Sequence, residues 1–395
     1  MTIDLDRGAL RAAYARFLSS PEAEGRVLLT GHSHQAWPDV ARDALLDCYD
    51  DAARLVDDKW GAVFGRIDSV GRRVLQRMGF DAGDPIAFGK STHELVFRLM
   101  TCLPLHEGTR IVTTDSEFHS LHRQASRLAE EGVEIAWVPG FPREGLADRL
   151  IAAITPSTRM VAFSAVMFED AFVVPRLGEI LTRAREMKAI ALVDAYHAFN
   201  VAPLEWGPDA ARDSAFVTAG GYKYAAFGEG VGWMRIPREC TLRPLDTGWF
   251  ADFAALEGPR SRAVGYGPGG SRFAGATFDP ASFYRAHAVL DHWDRFGLGP
   301  AELRAISLAQ TSRILDRLDA NGLGADVASS RDPARRGGFV SVRTTNADER
   351  TKALREKGVL VDARGDLLRI GPAPYLTDAE IDRGVDLVAA ALRAA

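Results

Sequence analysis

Two short apolar runs each end next to a residue able to do chemistry. Residues 189–194 read Ala-Ile-Ala-Leu-Val-Asp and lead into Ala195-Tyr196-His197. Residues 214–221 read Ser-Ala-Phe-Val-Thr-Ala-Gly-Gly and lead into Tyr222-Lys223-Tyr224. Both runs are rich in β-formers and bounded by turn residues, the pattern of buried strands in an α/β sheet. Ligands of such sheets sit beyond the carboxyl ends of the strands, where Asp194, His197 and Lys223 fall. A lysine facing an aspartate across that edge suits pyridoxal 5′-phosphate (PLP). The lysine forms the Schiff base, and the aspartate keeps the pyridine nitrogen protonated so that the ring accepts electrons. Taken alone, a strand-terminal aspartate reads as a turn or cap residue, and a lysine after Gly-Gly-Tyr as a solvated loop residue. The 29 positions that separate them leave room for a helix and one return strand, as an α/β unit requires.

The elements that must position these residues are legible in outline. Alternating strands are predicted at 110–114, 134–138, 160–166, 189–194, 214–219 and 232–236, with helices at 92–103, 118–131, 145–154 and 176–187. That alternation implies a mostly parallel, doubly wound sheet. Helices are also predicted at 7–19 and 39–57, on either side of the turn-rich Gly31-His32-Ser33-His34-Gln35-Ala36-Trp37-Pro38. The Gly- and Pro-rich stretch 251–275 reads as a long loop. A helix over 281–296 follows, then an α-rich segment, strands near 339–342, 359–362 and 367–370, and a last helix opened by the capping box Thr377-x-x-Glu380. The expected division is an amino-terminal segment (1–45) packing with a small domain, a large α/β domain (46–280), and a small α+β carboxyl-terminal domain (281–395).

Composition narrows the function. The chain has 395 residues, 47% of them hydrophobic, and a net charge of −5 with no dominant basic run, which disfavours a phosphate-contacting nucleic-acid surface. Three widely spaced cysteines (Cys48, Cys102, Cys240) form no CxxC and fit a reducing compartment. Met1–Arg7 carries no signal core, and no apolar stretch approaches the roughly 18 residues of a membrane span. The expectation is a cytoplasmic protein whose partner is a small molecule.

Further motifs surround the pair. Phe88-Gly89-Lys90-Ser91-Thr92 opens a helix whose backbone N–H groups and Ser91 and Thr92 hydroxyls suit a phosphate. The same letters resemble a P-loop, but five residues separate Gly83 from Gly89 where that motif needs four. Asp115-Ser116-Glu117-Phe118-His119-Ser120 follows the first strand of the alternating series, and Phe118 there can stack on a pyridine ring. His119 and His122 lack the further ligands of a metal site. Ser164 ends another run and could reach the polar edge of the cofactor. Arg369, a charge inside an apolar strand, calls for a carboxylate: that of a substrate, or of an internal aspartate or glutamate.

Together these residues resemble the kynureninase branch of the class V aminotransferase superfamily of PLP enzymes, over about residues 28–380. The resemblance rests on the turn at 31–38, Ser91-Thr92, Phe118-His119-Ser120-Leu121, Ser164, Asp194-Ala195-Tyr196-His197, Tyr222-Lys223-Tyr224, Gly248-Trp249-Phe250, Thr277 and Arg369. It implies PLP fold type I, with a seven-stranded sheet in the large domain, and a homodimer sharing its active site. It implies Lys223 as Schiff-base lysine and proton carrier, Asp194 as pyridinium partner, and His197 as the residue that orients Asp194 or the 3-hydroxyl side of the cofactor. Phe118 and Ser164 then contact the ring, while Ser91, Thr92, Tyr222, Trp249 and Thr277 hold the phosphate. Trp249 acts from the neighbouring subunit. Arg369, Ser33 and His34 fall to the substrate. The implied reaction is hydrolytic Cβ–Cγ cleavage of a kynurenine-like amino acid with release of alanine; transamination, β-elimination and a non-catalytic PLP-fold binding protein are the alternatives. Cysteine desulfuration lacks a nucleophilic cysteine in 251–275 or 320–340. The sequence departs from the family at Leu121 (for Asp), Tyr196 (for a small residue) and Asn200 (for Gly), and His32, His34 and Gln35 alter the turn that shapes the substrate pocket.

Overall fold

The structure, a computed structural model, describes residues 6–20, 24–106, 108–259 and 262–393. The expected lack of a signal core at Met1–Arg7 falls mostly on residues 1–5, outside the described residues. Residues 260–261 of the expected 251–275 loop lie outside them too. The described strands are β1 (Val27–Leu28), β2 (Ile86–Gly89), β3 (Arg110–Thr114), β4 (Glu134–Val138), β5 (Thr158–Ser164), β6 (Ile190–Asp194), β7 (Ala215–Gly220), β8 (Gly232–Arg235), β9 (Val340–Arg343), β10 (Val359–Leu360), β11 (Asp362–Arg364) and β12 (Leu367–Ile370). Seven of them form one sheet in the order β2-β8-β7-β6-β5-β3-β4. Only β8 runs against the rest, antiparallel to both β2 and β7, so the sheet is mostly parallel, as expected.

The helices His119–Glu130, Leu146–Ala153 and Leu177–Glu186 provide the crossovers between β3, β4, β5 and β6. Helices cover both faces, so the central strands carry near-continuous apolar side chains rather than an alternating pattern; every residue of β7 is buried. The neighbours β3, β5, β6 and β7 all deliver their carboxyl ends to one edge, and the register sets Ser164 beside Asp194 and Asp194 beside Thr218.

Several elements differ from the sequence expectation for physical reasons. The helix Lys59–Arg77 is absent from the expectation: Gly61, Gly65 and Gly71 lower its propensity, although Val63, Val70 and Val74 recur at helical spacing and are buried. A Cβ on Gly71 would lie 3.1 Å from Cγ2 of Ile86, so this glycine lets the helix lie on β2. The helix expected over 7–19 breaks into Arg7–Ala12 and Ala15–Leu18. The expected 251–275 loop holds two 3₁₀ segments, Trp249–Glu257 and Gly269–Phe273; the first is apolar and free of Gly and Pro. The strand expected at 359–362 is two strands, because β10 pairs with β1 while β11 pairs with β12. The last helix, Asp378–Arg393, has the expected capping box: the Thr377 N–H donates to Glu380 at 2.9 Å, and the Glu380 N–H donates to Oγ1 of Thr377 at 3.3 Å.

The amino terminus is tied to this carboxyl-terminal layer by Arg7–Asp378 and Arg11–Glu380 ion pairs and by the β1–β10 pairing. The three-stranded antiparallel sheet β11-β12-β9 sets Asp362 opposite Arg369.

One close approach fixes the site edge. A Cβ on Gly232 would lie 2.5 Å from the carbonyl carbon of Ser91 and 2.7 Å from the Thr92 nitrogen, so β8 runs against the backbone that starts the Thr92–Met100 helix. Gly232→Ala is expected to destabilise the protein by about 1–3 kcal/mol through overpacking. The midpoint of urea unfolding, measured against wild type, checks this; an unchanged midpoint would contradict the packing argument.

Candidate active site

At the carboxyl edge a cavity of about 210 Å³ is lined by Thr92, Phe118, Ser164, Asp194, His197 and Lys223, among others. With Ser91 and Tyr222, which also line it, eight residues expected from the sequence at distant positions are brought together by the fold. Lys223 follows β7 in a tight turn and is 4% exposed. Its Nζ lies 2.8 Å from Nε2 of His197, 4.5 Å from the Tyr196 ring centre and 5.0 Å from that of Phe118. Burial lowers its pKa to about 7, which Asp194 opposes only in part. Burial, with Lys223 next, holds His197 well below the ordinary histidine range, so the imidazole is neutral and its buried Nδ1 has no partner. Near neutral pH this is a hydrogen-bonded pair in which the imidazole is neutral and the amine is close to its titration point.

Asp194 sits at the end of β6 and accepts from the Tyr196 N–H at 2.8 Å. Burial raises its pKa, and no Lys, Arg or His among the described residues lies within ion-pair distance of it. Phe118, at the start of the His119–Glu130 helix, meets Phe168 edge to face at 5.6 Å. Oγ of Ser91 caps the next helix by accepting from the Glu94 N–H, leaving the first-turn donors of a nine-residue helix facing the cavity mouth.

The sequence reading passed over Glu117. This carboxyl is buried, accepts from the Thr114 hydroxyl at 2.7 Å, and accepts from both the N–H (3.0 Å) and the hydroxyl (2.6 Å) of Ser164. The Ser164 proton is therefore directed at Glu117. Burial raises the Glu117 pKa to about 7. The only signal in the sequence was a charged residue directly before the predicted helix, which also describes an ordinary cap.

Other expected site residues stand apart. Thr277 lines a second, larger cavity of about 1220 Å³ with Gly248, Phe250 and Arg98; Lys90, Glu229 and Gly230 wall both cavities. Trp249 lies on the surface, 43% exposed and packed on Phe250 at 4.2 Å. Ser33 is buried and donates to the Thr30 carbonyl, while His34 packs on Tyr222 at 5.5 Å. Tyr222 itself lines the smaller cavity. Arg369 is 2% exposed and pairs within the protein: Nε and Nη2 donate to the two oxygens of Asp362 at 2.8 and 2.6 Å, and Nη1 to the Phe168 carbonyl at 2.6 Å, which uses three of its five N–H groups.

The three sequence departures have local compensations. The Tyr196 ring occupies the space where a Cβ on Gly220 would stand, 2.5 Å from its hydroxyl oxygen. Asn200 has φ +66°, a conformation asparagine tolerates, and is held by bonds to Tyr224 and Arg77. Leu121 joins the apolar core under the sheet.

The architecture is that of the PLP-dependent enzymes of fold type I. The apo cysteine desulfurase of Thermococcus onnurineus NA1 superposes with a TM-score of 0.81 at 17% identity, over 100% of this chain and 99% of that one. The cystine C–S lyase C-DES, in complex with cysteine persulfide, gives 0.78 at 20% identity over 93% and 98%. A family model described as the kynureninase C-terminal domain matches residues 303–388. Among curated proteins, the chain is 26% identical to isopenicillin N epimerase of Streptomyces clavuligerus over 77% of this chain and 80% of that one. It is 21% identical to the uncharacterised aminotransferase YcbU of Bacillus subtilis over 94% and 95%.

The buried Glu117 has a measurable signature. Its folded pKa, about 7, exceeds that of an unfolded glutamate, so the folded state binds the extra proton between about pH 4.5 and 7. The stabilisation is complete at the low end of that window and lost as pH rises through 7. Glu117→Gln should remove that loss, of order 1–3 kcal/mol. Unfolding free energies from pH 5 to 8 check it; parallel curves for wild type and variant would refute the assignment.

Proposed function

We propose that this chain is a PLP-dependent enzyme acting on an amino acid, with Lys223 as the cofactor lysine. The observation that carries the reading is the buried Lys223, its pKa lowered to about 7, lining one 210 Å³ cavity with Asp194, a carboxylate with no ion-pair cation among the described residues. A buried carboxylate needs a cationic partner, and a pyridinium fits. The remaining walls fit the rest of the cofactor: the Phe118 ring for its face, and the donors at Ser91 and Thr92 for its phosphate. When bound, PLP supplies an electron sink for negative charge at the substrate Cα.

The residues of the chain then have separate tasks. Lys223, whose pKa near 7 leaves a substantial unprotonated fraction at neutral pH, takes the proton from the substrate Cα and returns it. His197 holds the lysine nitrogen in place through its 2.8 Å contact without adding a second positive charge. Asp194 fixes the pyridine end, and Tyr196, locked against Gly220, closes the space beside it. Trp249, Phe253 and Leu256 leave an exposed apolar face beside the larger cavity, which a second copy of the chain would cover. Trp249 and Thr277 would then serve the phosphate across that interface.

For the reaction we favour kynureninase-like hydrolysis, supported by the family match over residues 303–388 and by the motifs of the Asp194 and Lys223 segments. Transamination is the second reading, favoured by the near full-length similarity to the uncharacterised aminotransferase YcbU, with β-elimination as a further alternative. Desulfuration fits poorly despite the shared fold. Cys48, Cys102 and Cys240 are absent from the cavity walls, and burial pushes the Cys102 thiol up to about 12, far from a thiolate.

PLP-loaded protein incubated with L-kynurenine and its 3-hydroxy form is expected to release alanine and the corresponding anthranilate. Lys223→Ala should reduce the rate by at least about 10²-fold. Intact cofactor absorption without either product would reject hydrolysis and turn the search to keto-acid acceptors. Failure to retain PLP would reject the reading altogether.

A further inference from the structure

The lysine nitrogen is surrounded by aromatic faces. Nζ of Lys223 lies 4.5 Å from the ring centre of Tyr196, 5.0 Å from that of Phe118 and 5.7 Å from that of Tyr222. All three residues line the same cavity as the lysine. The face of an aromatic ring carries negative potential and attracts a cation within roughly 6 Å, most strongly where water is excluded. Each of the three rings therefore favours positive charge at this one atom.

The fold, rather than the lysine, holds these rings. Tyr196 is fixed at both ends: its N–H donates to Asp194 at 2.8 Å, and its ring fills the space beside Gly220. A Cβ on that glycine would lie 2.5 Å from the tyrosine hydroxyl and 2.6 Å from Cζ. Tyr222 packs on Tyr196 at 5.3 Å and on His34 at 5.5 Å, and Phe118 meets Phe168 edge to face at 5.6 Å. Burial raises the pKa of both phenols, so Tyr196 and Tyr222 are neutral near neutral pH and act through their faces. Burial works against a charge on Lys223. The charged groups that act on it pull in opposite directions: Asp194 and Asp362 favour the positive form, while Arg369 and Arg364 disfavour it. His197, 2.8 Å away, is neutral.

We infer that Tyr196, Phe118 and Tyr222 form a π cage that stabilises positive charge on the Lys223 nitrogen, and that Tyr196 is the residue that completes it. A small residue at this position, as in the family pattern, has no ring face to offer, so the cage belongs to this chain. The inference rests on the PLP reading above, under which this nitrogen joins lysine to cofactor. Its positive charge there makes the attached carbon open to attack by the amine of an incoming amino acid. Tyr196 exchanges no proton and forms no bond in that step. It sets how much of the protonated, reactive form is present near neutral pH.

The test follows the visible absorption of the PLP-loaded protein against pH. Its midpoint reports the proton on the lysine-bound nitrogen, so no turnover is needed. A trifluorinated phenylalanine introduced at position 196 keeps the shape of a phenyl ring but removes most of the negative potential of its face. Losing that potential disfavours the protonated form, so the proton leaves at lower pH. Tyr196→Leu and the trifluorinated ring should each lower the midpoint by about half a unit to one and a half units. Tyr196→Phe, which keeps the face, should stay within about 0.3 unit of wild type. The trifluorinated ring decides the matter even where Tyr196→Leu fails to fold, because it preserves the packing. The inference is overturned if that ring leaves the midpoint unchanged or raises it. It is also overturned if Tyr196→Phe falls as far as Tyr196→Leu, since the hydroxyl would then be responsible. Wild type that retains no visible absorption after loading overturns the PLP reading and the inference with it, an outcome distinct from the other two.

Discussion

A primary amine held out of water is the constraint on which the rest of this structure depends. Lys223 is buried beside Phe118, Tyr196 and His197, and a buried ammonium is expensive, so the amine gives up its proton near neutral pH. The same low-dielectric surroundings keep His197 neutral and leave Asp194 a carboxylate in search of a cation. Each of these states would relax if water entered. The fully buried β7, the close pass of β8 under Ser91 and the Tyr196–Gly220 contact are what exclude it. The site is therefore as much a property of the sheet as of its side chains: the β5–β6–β7 register sets Ser164, Asp194 and the Lys223 turn side by side.

The part of the site carried by strand ends was legible in the sequence, because a buried parallel strand announces itself by an unbroken apolar run and its ligand end by the polar residue that follows. Asp194, His197, Lys223, Ser164 and Phe118 were found that way. Residues that matter through partners far along the chain were not. Nothing local to Glu117 shows that Ser164, 47 positions on, will donate to it, and nothing local to Arg369 shows which carboxylate fills its fork. The reading had left open an internal carboxylate for that arginine, but only strand register identifies Asp362. Helix Lys59–Arg77 and strand β2 were missed for a related reason. The glycines of the helix lower its propensity, and β2 is only four residues long; the close packing of Gly71 on Ile86 that joins them exists only after folding.

In the carboxyl-terminal sheet a buried ion pair ties two strands together. Asp362 and Arg369 face one another across β11 and β12, and His32 reaches the same aspartate from the turn that precedes the first long helix. Three distant segments thus meet on one carboxylate. Such a pair contributes little net stability over well-packed apolar residues, but it defines the register strictly, because a slipped strand would leave two charges buried and unpaired. Through Phe339, which touches His32, His197 and lies under Arg369, the cluster is packed directly against the lysine site.

The central claim, that Lys223 is the covalent anchor of a PLP site, is tested most directly by borohydride reduction of the PLP-loaded protein followed by peptide mass mapping. The chain has six lysines, and Lys223 is the one that is buried. Reduction should fix one phosphopyridoxyl group per chain on the peptide containing Lys223, with the other five lysines unmodified. A label spread over the exposed lysines, or placed on Lys90 with Lys223 untouched, would contradict the account.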